Sequence, residues 1–367
     1  MTVIGRATTL AVIVALCAGT SSAATAGPAL LFDQADGRVL FADDADSAWH
    51  PASLTKIMTA YMTFEAIKAG KLTLESKITV SELAHTQPPS KIGLPVGAEM
   101  TVDMALKALI IKSANDVAVM LGEAIAGSHD AFVEQMNVAA QRLGMSRTRF
   151  ANANGLPAPE QVTTARDLAR LSRAVILAYP QYSPLWAMGD MQIGRRRLRT
   201  HNALLRTYDG ADGLKTGFTC DSGFNVVATA TRDNRRLVAV VLGETSGRDR
   251  AVRAASLLEH GFQTSAWKQI FNTMTIETMP LGETTAPASV RDNVMSWDCG
   301  RRSRAAARAI AKSQAKRRTV AKQAETTIPP SGTTVAPAAK GQAQAPATVL
   351  PQGSAATPPP EKARPTP

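Results

Sequence analysis

The chain has 367 residues, 45% of them hydrophobic, 19% charged and only 5% aromatic, enough for one large core or two ordinary ones. Its formal charge of +11 invites a polyanionic partner, yet residues 301–367 hold about twelve Lys and Arg against two acids and carry nearly all of that excess. The remainder is close to neutral, which removes the nucleic-acid reading from the folded part. No apolar run beyond the N-terminus reaches the roughly 18 residues that span a bilayer, which excludes a polytopic membrane protein.

Residues 1–26 read as an export signal: Arg6, then the apolar stretch LAVIVALCA, then small residues at Ser21, Ala23, Ala24 and Ala26 suited to cleavage. An uncleaved anchor is the alternative, and the stretch is short for one. Lipid attachment at Cys17 is disfavoured by the bulky Leu16 before it. Export implies an oxidising periplasm or other extracytoplasmic compartment, and removal of the signal leaves Cys220 and Cys299. They are either two free thiols or a disulfide closing a loop of about 80 residues, which adds roughly 4 kcal/mol in the chain-entropy picture.

Leu30, Leu31 and Phe32, then Val39, Leu40 and Phe41, flank an Ala-Asp-Gly turn and predict a hairpin. Residues 51–68 predict a helix, with Leu54, Ile57, Met58, Tyr61 and Phe64 on one face. Residues 102–126 hold two more helical stretches. Residues 129–143 and 164–178 each predict a helix, the latter capped by Thr163 or Thr164. Then the period changes: NVVATAT and LVAVVL are two strands joined by Arg232-Asp233-Asn234-Arg235, and residues 250–260 close with a helix. This order argues for an α+β fold, an antiparallel sheet flanked by a helical cluster, and against repeated βαβ units.

Residues 301–367 contain no Phe, Trp or Tyr and about ten of the 21 prolines, which predicts a disordered tail. Its Ala-rich first part has a transiently helical composition but a face too weak for deep membrane insertion. A weak contact with anionic lipid or wall polymer is its functional reading, a solvated linker its bland one.

The chemistry resides in three short motifs. No HExxH, GxSxG or GxxxxGK[ST] is present, and the five histidines lack ligand spacing, so neither a metal nor a cofactor is expected. The first motif is Ser53-Leu54-Thr55-Lys56. Its serine stands at a helix start, where free N–H groups favour developing negative charge, and Lys56 returns to the same face one turn later. A lysine can take the serine proton only if burial or nearby cations lower its pKa. The second, Ser113-Ala114-Asn115, offers a hydroxyl to relay a proton and an amide to hold a carbonyl. The third, Lys215-Thr216-Gly217, falls on an expected edge strand. It supplies a cation and a hydroxyl for a carboxylate, and a glycine against which an extended peptide can lie. Each alone is weak; once each, in this order and about 60 and 100 residues apart, they form one set.

The set, with HPASLTKIMTAY, IKSANDVAVMLGEAIAGS, FVEQMNVAAQRLGM, ANGLP, TTARDLARLSRAV, GADGLKTGFTCDSGFNVVATATRDNRRLVAVVLG and LLEHGF, resembles the low-molecular-mass penicillin-binding proteins, the D-alanyl-D-alanine carboxypeptidases of serine peptidase family S11. The resemblance covers about residues 28–272 and implies a β-lactamase/transpeptidase-like fold. It implies that Ser53 attacks the carbonyl of the penultimate D-alanine of a peptidoglycan stem peptide, with Lys56 as base and Ser113 passing a proton to the departing D-alanine. Asn115 then positions the substrate, Lys215 and Thr216 hold the terminal carboxylate with Arg248, and the oxyanion hole comes from the N–H groups of Ser53 and Phe218. β-Lactams are implied as covalent inhibitors, and peptidoglycan maturation and cell shape as the setting.

Relatives often add a second β-rich domain and a C-terminal amphipathic anchor. Here residues 274–300 leave room only for a short extension after a peptidase domain over 27–273, and the tail matches such an anchor poorly. A class A β-lactamase needs a glutamate some 35 residues after the second motif, where this chain reads GMSRTRF. A D,D-endopeptidase uses the same machinery, and a non-catalytic wall-binding protein is expected to have lost Ser53, Lys56 or Lys215.

Overall fold

The computed structural model describes residues 27–264, 273–283, 285–294 and 299. The expected signal (1–26) and basic tail (301–367), with the lipid or polymer contact assigned to the latter, lie outside them. The chain opens with β1 (Ala29–Asp33) and β2 (Val39–Asp43), the expected hairpin. A 3-10 turn over Ala52–Leu54 leads into α1 (Thr55–Lys68). Then come β3 (Lys77–Thr79), α2 (Glu82–His85), β4 (Glu99–Thr101), α3 (Val102–Lys107), α4 (Asn115–Ala126), α5 (His129–Arg142) and α6 (Ala165–Ala178). A short α7 (Ser183–Ala187), β5 (Asp190–Ile193), β6 (Arg196–Arg199) and α8 (Leu204–Thr207) precede the last strands. These are β7 (Ala211–Thr219), β8 (Gly223–Arg232) and β9 (Arg235–Glu244), followed by α9 (Gly247–Gln263).

Five strands form one antiparallel sheet in the order β2-β1-β9-β8-β7, so the strand carrying Lys215 is an edge. Both faces are buried, and the two-residue period sorts them. Leu31, Val226, Ala228, Leu237, Ala239 and Val241 face α9, whereas Leu30, Phe32, Val227, Val238, Val240 and Leu242 face the larger helical core. α9 lies close because Gly261 has no side chain: a Cβ there would stand 2.7 Å from Leu237 Cδ1 and 2.8 Å from Leu31 Cδ2. The β8–β9 turn places Asp233 at φ 48° and Asn234 at φ 59°, as a two-residue hairpin requires.

α1 is not the one-faced helix its spacing predicts. Thr55, Lys56, Thr59 and Thr63 are buried with the apolar residues, so the helix runs through the core. The Thr59 hydroxyl donates to the carbonyl of Ala153 at 2.6 Å, and that of Thr63 to the carbonyl of Thr59 at 2.8 Å, so two of these buried hydroxyls are satisfied within the core. The two stretches expected over 102–126 are α3, prolonged by a π-turn over Ala108–Lys112, and α4. They are broken at Ser113, which is left-handed at φ 59°. Thr164 caps α6 by accepting from Asp167 N at 3.0 Å.

The short extension folds back on the sheet and helices. Val39 N–H donates to Met274 O, and Ile276 N–H to Gly37 O, both at 2.9 Å. The buried Arg166 pairs with Asp46 at 2.6 Å and also donates to the carbonyls of Met279 (2.5 Å) and Pro280 (2.7 Å). Further on, Val290 N–H donates to Asp221 O at 3.1 Å. Cys220 and Cys299 are bonded, their Cα atoms 5.5 Å apart across 79 positions of sequence.

Candidate active site

Ser53 lies in the 3-10 turn at the start of α1, with Ala52 before it left-handed at φ 50°. Three contacts hold this unusual backbone. Asn225 Nδ2 donates to His50 O at 3.0 Å and to Pro51 O at 3.4 Å. Gly155, at φ +86°, packs so tightly that a Cβ there would fall 1.8 Å from Ala52 O. A Cβ on Gly217 would fall 3.0 Å from Pro51 O and 3.2 Å from Leu54 N. The glycine of the third motif therefore lets β7 approach the serine turn.

Lys56 is 1% exposed, and its Nζ meets three oxygens: Ser53 Oγ at 3.1 Å, Asn115 Oδ1 at 2.8 Å and Asn154 O at 2.5 Å. The Asn115 amide is oriented by its Nδ2, which donates to Pro88 O at 2.9 Å. Two of the three oxygens can only accept. A neutral amine has two N–H bonds, and Asn115 and Asn154 use both, which leaves the lone pair for the Ser53 hydroxyl. Burial, and then the charge of Lys215, hold Lys56 well below the usual lysine range, against the opposing pull of Asp116. That carboxylate takes N–H bonds from Ile92, Gly93 and Val117 and anchors the loop whose Ser90 O accepts from Asn115 N at 2.7 Å.

Lys215, 2% exposed, donates to Ser113 Oγ and Thr216 O, each at 2.9 Å. Burial and the neighbouring Arg250 push it down to about 7. Thr216 is buried beside it, and the Phe218 ring stacks on Phe224 at 4.1 Å between centroids. Ser53, Lys56, Ser113, Asn115, Lys215, Thr216, Gly217 and Phe218 thus meet where the start of α1, the α3–α4 link and the sheet edge converge.

Arg248 does not join them. It falls in the exposed first turn of α9, whose cap is Ser246. Two residues on, Arg250 is turned inward and 7% exposed, its guanidinium 5.8 Å from the Phe224 ring centroid and donating to His201 O at 3.1 Å. Burial lowers it to about 10. Sequence reasoning singled out this segment and not the residue in it that is turned inward. It also missed Asn154, Gly155 and Asp116. The first two fall within ANANGLP, part of which carried the resemblance, and Asp116 directly follows the second motif.

Two desolvated cations, Lys215 and Arg250, give the cleft the chemistry to receive a carboxylate, and a serine beside a buried lysine whose proton is weakly held suits it to acyl transfer. Comparison with known proteins agrees. The profile of the family described as D-alanyl-D-alanine carboxypeptidase, Peptidase S11, matches residues 17–246, more than half of the chain. The D-alanyl-D-alanine carboxypeptidase DacC of Escherichia coli is 38% identical over 241 residues, 64% of this chain but 60% of that protein's own length. Penicillin-binding protein 6B of E. coli superposes with a TM-score of 0.62 at 37% identity, over 65% of this chain and 77% of its own. Penicillin-binding protein D2 of Listeria monocytogenes, solved in an ampicillin-bound form, superposes with a TM-score of 0.60 at 31% identity, over 65% of this chain and 97% of its own. With its three motifs assembled around one serine and these likenesses in sequence and fold, the chain belongs to the Peptidase S11 family of D-alanyl-D-alanine carboxypeptidases.

Proposed function

We propose that the chain is an exported serine-type D-Ala-D-Ala carboxypeptidase that removes the terminal D-alanine from peptidoglycan stem pentapeptides, and that β-lactams inhibit it by acylating Ser53. The observation that carries this reading is the buried Lys56 amine, 3.1 Å from Ser53 Oγ, whose other two partners, Asn115 Oδ1 and Asn154 O, are both acceptors, so that the neutral amine turns its lone pair to the serine hydroxyl.

The terminal carboxylate binds Lys215, Thr216 and Arg250, and its charge favours the protonated form of Lys215. Ser53 Oγ attacks the penultimate carbonyl as its proton passes to Lys56 Nζ. The oxyanion is held by the N–H groups of Ser53 and Phe218. The C–N bond breaks with the amine taking the Ser113 proton, which Lys215 replaces across their hydrogen bond. Deacylation reverses this path with water in place of the amine: water's proton goes to Ser113 and Lys215, and Ser53 leaves with the proton from Lys56. On this path Lys56 takes a proton in acylation and returns it in deacylation, so the lysine serves both half-reactions.

The Cys220–Cys299 bond and the signal-like N-terminus support export to the periplasm or an equivalent compartment. The contacts of residues 273–294 with Gly37, Arg166 and Asp221 support counting this extension as part of the peptidase domain. The test is mass spectrometry of purified peptidoglycan fragments incubated with the mature protein. Pentapeptide stems should lose one alanine, and Ser53→Ala should abolish the loss. Opened cross-links with intact stems would move the assignment to an endopeptidase, and unchanged fragments to a binding protein.

A further inference from the structure

A cavity of about 310 Å3 opens between the serine turn and the loop that follows Gly155. His50, Ala52, Leu156 and Pro159 line it together with Thr219 and Asp221, which follow the third motif along the chain. Strand direction decides which part of a substrate reaches it. With the carboxylate at Lys215 and the scissile carbonyl near Phe218, the chain on the amino side runs on past Thr219, antiparallel to β7. The residue before D-Ala-D-Ala therefore has its side chain at this cavity. In stem peptides that residue is a diamino acid.

The cavity has an apolar wall suited to methylene groups, and Asp221, which lines it, is held in an ion pair by Arg291. Arg291 Nε donates to Asp221 Oδ1 at 2.8 Å and its terminal nitrogen to Oδ2 at 2.9 Å, while Ser289 Oγ donates to Oδ1 at 3.2 Å. The Arg291 side chain is 44% exposed and that of Asp221 33%, so both charges can still be met by a ligand. The complement of a side-by-side anion and cation is a zwitterion: an ammonium for Asp221 and a carboxylate for Arg291. Asp221 adjoins Cys220, whose bond to Cys299 ties the β7–β8 turn to the extension that supplies Arg291.

We propose that this cavity receives the side chain of the residue preceding D-Ala-D-Ala, and that the Asp221–Arg291 pair selects a diamino acid whose side chain ends in both a free ammonium and a free carboxylate. The inference rests on the carboxypeptidase reading. Its test compares three pentapeptides ending in D-Ala-D-Ala: one with a diaminodicarboxylic acid at the third position, one with the side-chain carboxylate of that residue amidated, and one with lysine.

The wild-type protein should release D-alanine from the first with kcat/KM about tenfold above the other two, the scale of a charge-assisted hydrogen bond. Arg291→Gln should bring the ratio of the first to the amidated peptide close to one. Equal turnover of all three by the wild type, or a preference that survives Arg291→Gln, overturns the inference and leaves the carboxypeptidase reading standing. Release of alanine from none of the three overturns both. Should Arg291→Gln loosen the extension, seen as a lowered thermal midpoint, the amidated peptide still decides, because that comparison uses only the wild-type protein.

Discussion

Lys215 Nζ lies 2.9 Å from Ser113 Oγ, so the edge of the sheet is joined to the link between α3 and α4 by one buried hydrogen bond. The pair spans the cleft, and its donor is a cation that titrates near neutrality. Substrate capture needs Lys215 charged, whereas acylation needs Lys56 neutral. The two requirements oppose one another along the pH axis, and the rate is set by their overlap.

That opposition gives the first prediction. kcat/KM for a D-Ala-D-Ala peptide should rise with pH as Lys56 loses its proton and fall above about 7 as Lys215 loses its own. A substrate whose terminal carboxylate is amidated should react more slowly throughout but keep the falling limb, because Lys215 also replaces the proton that Ser113 gives up. A steady rise through the alkaline range for the free acid would contradict the assignment of Lys215.

Arg250 lowers the pKa of Lys215 while adding a second positive charge to the cleft. Arg250→Gln should therefore shift the falling limb to higher pH and raise KM by about tenfold, the loss of one charged hydrogen bond. Arg248→Gln, in the exposed turn, should leave both within about twofold. The pH profiles of the two variants separate these positions directly.

Asn115 supplies one of the two acceptors that orient the Lys56 amine, and its own amide satisfies Pro88 O. Asn115→Ala should lower the acylation rate of Ser53 by fluorescent penicillin by about 10²–10³-fold, the usual cost of losing one positioned polar group in an active site. Stopped-flow labelling reads this rate without requiring turnover.

At Gly155 a methyl group would occupy the place of Ala52 O, in a backbone conformation that L residues rarely adopt. Gly155→Ala should cost more than about 2 kcal/mol in urea unfolding and should displace the serine turn, with loss of penicillin labelling. Retention of both properties would show that the loop can move away at little cost.

The Cys220–Cys299 bond closes a long loop. Cys299→Ser should lower stability by up to about 4 kcal/mol, measured by denaturant unfolding, and a reducing agent should reproduce the loss in the wild type alone.

Much of this site is legible in the sequence because each motif coincides with a local signal: a helix start for Ser53, a helix break for Ser113, a strand at the edge of a hairpin for Lys215. The hairpins and most of the helices fall within a residue or two of expectation for the same reason, whereas the last helix runs three residues beyond it at each end. The choice between Arg248 and Arg250 depends on the phase of α9 relative to the sheet, which is set by packing around Gly261 and Leu237, far along the chain. Asn154 contributes through a backbone carbonyl, and a carbonyl has no residue signature. The ribbons β3–β4 and β5–β6 escape notice because strands of three and four residues are too short to show a period. The near-complete burial of α1 is hidden by its polar residues, of which Thr59 and Thr63 bond to carbonyls inside the core.

The extension held by Arg166 has a consequence for the order in which the molecule is completed. A ribosome delivers Gly37, Asp46 and Arg166 long before Ile276, Met279 and Pro280, yet the first group bonds the second. Until those last carbonyls arrive, the Arg166 guanidinium has Asp46 but lacks two acceptors that its buried position demands. A nascent chain lacking residue 276 onward thus carries all three motifs while a buried guanidinium is still short of acceptors, so the packing around Arg166 is completed only when the C-terminal extension arrives.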